Sequence, residues 1–363
     1  MTDLKKDNSL KIAAGLFIAG VIYLFLKEFQ SIILPFFVAL IISFIFEPLY
    51  RWFREKRVPA SVSVILILVV IIIISNFVSL FVITSINSFQ SSLPNYQEKL
   101  IGIYKSFVYQ IESNPLYNAY LKNQMDLEAM IGKINFSGMI QSLFTGIVGI
   151  FSNYILILIY VIFILTEIGS IRVRIQSAFS SERAVSITDT ITSVFNDIKK
   201  YIVGKTLINL THAILVVIIL WIFGADFAVV WGFLTFFMAF IPNIGAIIAT
   251  LLPFLSALIQ FDGIVIPIII LILLVVIGNV IGNIFEPKIF GNTLNLSPLL
   301  LILSLIFWGY VWGIVGMFLS VPIMSIIKIV LSKFEYTKPI AMLMSQEVRK
   351  GFGSGKKNKK QRG

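Results

Sequence analysis

Residues 241–322 read IPNIGAIIATLLPFLSALIQFDGIVIPIIILILLVVIGNVIGNIFEPKIFGNTLNLSPLLLILSLIFWGYVWGIVGMFLSVP. The stretch is apolar enough to lie in a bilayer. Yet it carries prolines, glycines and asparagines where a plain membrane anchor would carry leucine. Backbone groups freed by Pro or Gly find no water in hydrocarbon, so interrupted helices persist there only when buried in protein or lining a polar cavity. Paired interruptions of this kind point to a binding site for a transported solute.

The rest of the chain agrees with a membrane reading. Of 363 residues, 58% are hydrophobic and only 13% are charged, and the mean hydropathy is +0.95. Soluble domains carry about 25% charged residues. Long Ile, Val and Phe runs near the roughly 20 residues needed to span a bilayer favour helices over buried strands. The chain has no cysteine and a single histidine, His212. Disulfides, thiolate catalysis and multi-histidine metal centres within one chain are therefore excluded. A net charge of +11 is expected from lysine and arginine concentrated in cytoplasmic loops.

Residues 10–26 and 32–49 form the first two expected spans, with Pro35 placed in the first turn of the second. No small-residue cleavage site follows the first run, so it is expected to stay as a helix. Arg51, Arg54, Lys56 and Arg57 make a compact basic loop, which places that loop and the N terminus in the cytoplasm. Residues 62–86 are the third span. Residues 87–141 are polar with nearly cancelling charges and fall outside by parity. Apolar spacing around 96–111 suggests amphipathic helices there, against a loosely ordered loop. Residues 143–165 are the fourth span, and the basic segment 167–205 returns to the cytoplasm. Ser180-Ser181-Glu182 marks a helix start. Residues 207–223 are the fifth span.

Two short apolar runs, 227–240 and 244–259, flank Pro242-Asn243-Ile244-Gly245, the second being broken by Pro253. Residues 264–284 are a full span ending at Glu286-Pro287-Lys288. Lysines and arginines after 328 belong inside, as does the loop 286–297, so an even number of crossings must separate them. Glycines at 309, 313 and 316 supply the bend of a hairpin whose arms are 298–307 and 314–327. The expected fold is all-α and polytopic, with two broken-helix hairpins and an extramembrane segment after the third span. Its parts are 1–86, 87–141, 142–205, a core at 206–332, and a basic cytoplasmic tail at 333–363 that meets anionic lipid. The tail lacks the aromatic interleaving of a nucleic-acid site.

Three groups of residues are candidates for chemistry. Asn279, Asn283 and Glu286 recur at i, i+4, i+7 on one helix face, with Gly278 and Gly282 on the adjacent one. The asparagines either offer hydrogen bonds to a solute or hold helices together at about 0.6–2 kcal/mol each, while the glycines let another backbone approach. Lys205, Asn209 and His212 repeat the same spacing after Tyr201. His212 is either a proton relay or a hydrogen-bonded core histidine, and Lys205 is expected to snorkel to the interface. Pro242, Asn243, Gly245 and Pro253 either expose carbonyls and amides to a solute or make a simple turn. No HExxH, P-loop or GxSxG pattern occurs, so neither an enzyme nor a cofactor is expected.

Residues Ile241-Pro242-Asn243-Ile244-Gly245 with Pro253, Asn283-Ile284-Phe285-Glu286-Pro287-Lys288-Ile289-Phe290-Gly291 leading to Leu296-Ser297-Pro298, and Gly309 with Trp312-Gly313-Ile314-Val315-Gly316-Met317-Phe318-Leu319-Ser320-Val321-Pro322 together resemble the autoinducer-2 exporter family of bacterial and archaeal permeases. Tyr201 to Lys205 fits that family's entry to its fifth span. The resemblance implies a homo-oligomer, described as a pentamer, with two hairpins per protomer and an elevator-type movement. Some such proteins are associated with autoinducer-2 export, others with sodium or lithium exchange for protons. The expectation is a secondary transporter of a small polar solute, with a monovalent-cation/proton antiporter and a scaffold acting through 87–141 as alternatives.

Overall fold

The computed structural model describes residues 2–112, 153–241, 244–290 and 296–346, with isolated positions 138, 141, 142 and 145. Among these the chain is almost wholly helical. Its elements are α1 (Thr2–Glu28), α2 (Gln30–Glu55), α3 (Ala60–Glu112), α4 (Tyr154–Ala178), α5 (Ser181–Ile222), α6 (Ala228–Met238), α7 (Ile244–Gln260) and α8 (Val265–Val280). A π-turn (Ile281–Phe285), α9 (Glu286–Phe290), α10 (Pro298–Lys333) and α11 (Lys338–Leu343) complete it. Five described helices are long and apolar enough to cross a membrane. The chain is a multi-pass membrane protein.

Several boundaries differ from those expected of the sequence. The third span ends where expected, its apolar part being Ala60–Ser85, but its helix does not: α3 runs unbroken for 53 residues, about 80 Å at the α-helical rise. Leaving hydrocarbon changes side-chain polarity but not backbone hydrogen bonding, so a polar composition marks a membrane boundary and not a helix end. The 96–111 stretch is helical as the continuation of α3; the rest of the expected extramembrane segment, 113–137, lies outside the described residues. Likewise 180–205 and the fifth span are one 42-residue helix, α5. It starts at Ser181 as expected. Gly204 does not break it, because one internal glycine costs only about 1 kcal/mol. A Cβ there would stand 2.9 Å from the Phe290 ring, so the missing side chain is where α9 packs. Pro35 lies inside α2 and not in its first turn, and Pro253 lies inside an unbroken α7.

The apolar core is continuous. Leu34, Ile67, Ile157, Leu220, Leu234, Ala257, Ile270 and Ile323, drawn from α2 to α8 and α10, are buried in one cluster. A smaller cluster joins Phe44, Ile202, Ile281, Phe290 and Ile329. Outward-facing Phe77, Ile222 and Ile306 remain exposed, as suits a surface against hydrocarbon.

Residues 224–260 fold back on themselves. The Gln260 side chain accepts from the Asp226 N–H at 2.6 Å and donates to the Gly224 carbonyl at 2.8 Å, tying the two ends together. At the other end the arms approach so closely that a Cβ on Gly245 would overlap the Met238 carbonyl. α10 also folds back. Trp312 and Gly313 leave helical geometry, Gly313 at φ 63. The Ser304 hydroxyl donates to the Ser320 carbonyl at 3.4 Å, sixteen residues away in sequence. A Cβ on Gly316 would overlap the Trp308 carbonyl.

The hairpins point opposite ways. The α10 turn reaches the C-terminal end of α1, where the Trp312 indole donates to the Leu26 carbonyl at 3.0 Å and Tyr310 stacks on Tyr23. The arms of α10 close at the basic end, where Lys333 pairs with Asp197 at 2.6 Å and donates to Ser193 at 2.8 Å. There Glu47 of α2 receives Arg51 at 2.8 Å and lies 3.1 Å from the Lys199 ammonium. The base of the α6–α7 hairpin instead lies under the far part of α3. Tyr96 donates to Asp226 at 3.1 Å, and Lys99 to the Gln260 carbonyl at 3.1 Å. Burial pushes the Tyr96 phenol up to about 12.

Candidate functional site

A cavity of about 1010 Å³ lies where the α6–α7 turn meets α5, α8 and the π-turn. Its wall carries Tyr201, Lys205 and His212 from α5, Gly245 and Thr250 from α7, and Asn279, Asn283, Glu286 and Pro287 from the α8–α9 segment. α5 brings its three residues there because Tyr201, Lys205 and His212 recur at about one and two turns. α7 brings Gly245 because only a residue without Cβ lets its first turn pass the Met238 carbonyl.

At the centre, Lys205 donates to Glu286 Oε1 across 81 residues of sequence. The snorkelling expected of Lys205 is corrected: its side chain is 10% exposed, against 32% for Glu286. A carboxylate on the facing helix satisfies the ammonium where it stands, so the side chain has no need to reach an interface. Glu286 stands in front of Lys205, toward the cavity.

The π-turn shapes this wall. The Glu286 N–H donates to the Ile281 carbonyl, five residues back. Such wide turns rotate the next residues around the helix axis and recur at functional sites. Asn283 donates to Asn279 Oδ1 at 3.1 Å, and Asn279 donates to the Val275 carbonyl at 2.9 Å. Gly278 and Gly282 were expected to admit another backbone. A Cβ at either would meet nothing within 4 Å; both face the cavity, and no helix packs there among the described residues.

The remaining candidates are placed differently. Asn209 is buried behind the wall and donates to the Phe236 carbonyl at 3.4 Å. His212 lines the cavity. Pro253 is buried inside α7; having no N–H, it gives the Ala249 carbonyl no helical partner, but it does not line the cavity. Gly309, Gly313, Gly316 and Pro322 build the α10 hairpin and lie off the wall, which Val321 and Ser325 reach instead. Pro242 and Asn243 lie outside the described residues.

Sequence reasoning missed Thr250, Ser325 and Gln346 on the wall. Ser325 falls three residues after Pro322 and is one of the few polar residues of α10, with Ser304, Ser320 and Lys328, a signal that was available. Gln346 follows α11, whose end is tied to the start of α10 by Ser297 N–H donating to the Met344 carbonyl at 2.9 Å; nothing local in the sequence announces that return.

Comparison with known proteins bears on this site. A family model described as AI-2E family transporter matches residues 12–335. The chain is 30% identical over 340 residues to the AI-2 transport protein TqsA of Escherichia coli K12, covering 93% of this chain and 96% of that one. It is 29% identical over 357 residues to a Borreliella burgdorferi protein named "Putative transport protein", covering 95% of this chain and 94% of that one.

Proposed function

This chain belongs to the AI-2E transporter family, and on that premise we propose that it is a secondary transporter moving a small polar solute out of the cell. The observation that carries the reading is the cavity at the α6–α7 turn, with Lys205 and Glu286 paired on its wall in a largely apolar bundle. Intramembrane ionisable residues are costly and mark solute or ion pathways. A relative's name supports autoinducer-2 as the first solute to try.

The protein sits in the cytoplasmic membrane with both termini in the cytoplasm, a reading supported by the basic residues at the end of the bundle that holds Arg51, Lys199 and Lys333. The two opposed hairpins support an elevator-like movement of the α6–α7 unit past α5, within a homo-oligomer. Asn283 and Glu286 bind the solute beside Asn279, and Gly245 lets the turn close on it. Gradients drive the movement.

The test is flux in proteoliposomes holding the purified protein, with autoinducer-2 on one side and pH and sodium gradients imposed in turn. Solute movement that Asn283→Leu abolishes, with folded protein retained, supports the reading; unchanged flux removes Asn283 from the site. A second reading, monovalent-cation/proton antiport, is favoured by the Glu286 carboxylate in the cavity. It requires pH-dependent cation exchange that Glu286→Gln eliminates.

A further inference from the structure

The hydrogen bonds along the α8–α9 wall have a fixed direction, and that direction states what the cavity accepts. The Val275 carbonyl can only accept. Asn279 must therefore turn its Nδ2 toward it, at 2.9 Å. Its Oδ1 then faces Asn283, which must in turn offer Nδ2, at 3.1 Å. Asn283 is left presenting Oδ1. Lys205 can only donate, and it takes Glu286 Oε1, leaving Oε2. Both leftover atoms are acceptors, and neither has a partner among the described residues. Gly278 and Gly282 beside them put no side chain in the way. The Lys205 ammonium is the more buried partner of its pair, so an incoming group meets the carboxylate first.

We propose that this wall is an acceptor array that selects solutes presenting hydrogen-bond donors, hydroxyl or amine, and rejects carboxylates and phosphates, with Asn279 as the positioning residue that keeps the Asn283 carbonyl turned to the cavity. This rests on the transport reading above and deepens it. An anion would place its oxygens against Asn283 Oδ1 and Glu286 Oε2 and leave acceptors facing acceptors. Sites built to hydrogen-bond one partner discriminate strongly because the wrong partner leaves polar groups unpaired.

Three four-carbon probes test it on the purified full-length chain: butane-1,2,3,4-tetrol, 1,4-diaminobutane and succinate. Binding is read as a shift of the thermal midpoint in detergent, and movement as flux in proteoliposomes. The expected result is a shift with the tetrol or the diamine and none with succinate; the responding arm tells hydroxyl from ammonium. Succinate binding as well as the donor probes, or no response to either donor probe, overturns the proposal. Binding with the expected selectivity but no flux of any solute supports the array while defeating the transport reading; succinate flux does the reverse. Asn279→Leu frees the Asn283 amide to rotate, so the preference for donor over succinate should fall about tenfold, the equivalent of one hydrogen bond of about 1.4 kcal/mol. Asn279→Ser, whose hydroxyl donates to Val275 and accepts from Asn283, should restore it. A merely structural role would lower the unliganded midpoint and leave the preference unchanged, which would remove Asn279 from the argument.

Discussion

The two hairpins use one device in two settings. In each, a glycine passes a backbone carbonyl of the opposite arm: Gly245 at Met238 and Gly316 at Trp308. Around Gly316 the turn is packed. Trp308 and Trp312 have ring centroids 4.5 Å apart, Phe37 lies 5.9 Å from Trp312, and the indole is bonded to α1. Around Gly245 the turn borders the cavity. Close approach makes a tight reversal in both; the surroundings of the reversal decide whether it serves as scaffold or as part of a site.

The strongest way to break this comparison is to put valine at each glycine. Gly316→Val should cost more than about 4 kcal/mol, because a backbone carbonyl within a packed turn cannot yield, and little folded protein should survive detergent extraction. Gly245→Val should lower flux at least tenfold while leaving more folded protein, since its turn can open into the cavity. Equal yields by size-exclusion chromatography would dissolve the distinction. Next in size is the ion pair. Lys205→Met should lower the thermal midpoint by the equivalent of about 1–2 kcal/mol, less than the roughly 3–5 of a fully buried broken pair, because Glu286 keeps partial access to water. Lys333→Met, at the partly exposed closure of α10, should cost about 1 kcal/mol.

Gln260→Leu removes two hydrogen bonds from the base of the α6–α7 hairpin and should cost about 1–2 kcal/mol. Limited proteolysis near 224–226 would sharpen this by reporting local opening. The smallest effect belongs to Tyr96→Phe, about 0.5–1 kcal/mol from its bond to Asp226. Burial raises this phenol from 10.0 to about 12. Its contribution is therefore intact below pH 10 and lost as pH rises toward 12. Thermal midpoints between pH 10 and 12 should fall more steeply for the parent protein than for Tyr96→Phe.

The membrane class and the reversal at Trp312-Gly313 were legible because composition and glycine spacing are local signals. The cavity wall at 279–286 was legible for the same reason. The Lys205–Glu286 pair was not, since a sequence shows each charge but not which of many opposite charges folding brings to it. The length of α3 was hidden because polarity was read as termination, and Pro94 sits inside that helix without ending it. Pro253 misled in the same way: a proline removes one donor, and a well-packed helix can continue through it. Gly278 and Gly282 misled because small residues serve close packing and open space equally, and only the neighbour distinguishes them.

The π-turn holds an extra residue within a single turn of helix. Winding 281–285 as ordinary α-helix with no residue removed would swing everything after it by about 100°. The Glu286 carboxylate would leave Lys205 without any substitution of a charged group. In this chain the pairing of two ions is encoded in the winding of one turn, and a single-codon deletion absorbed within that turn would leave Glu286 facing Lys205.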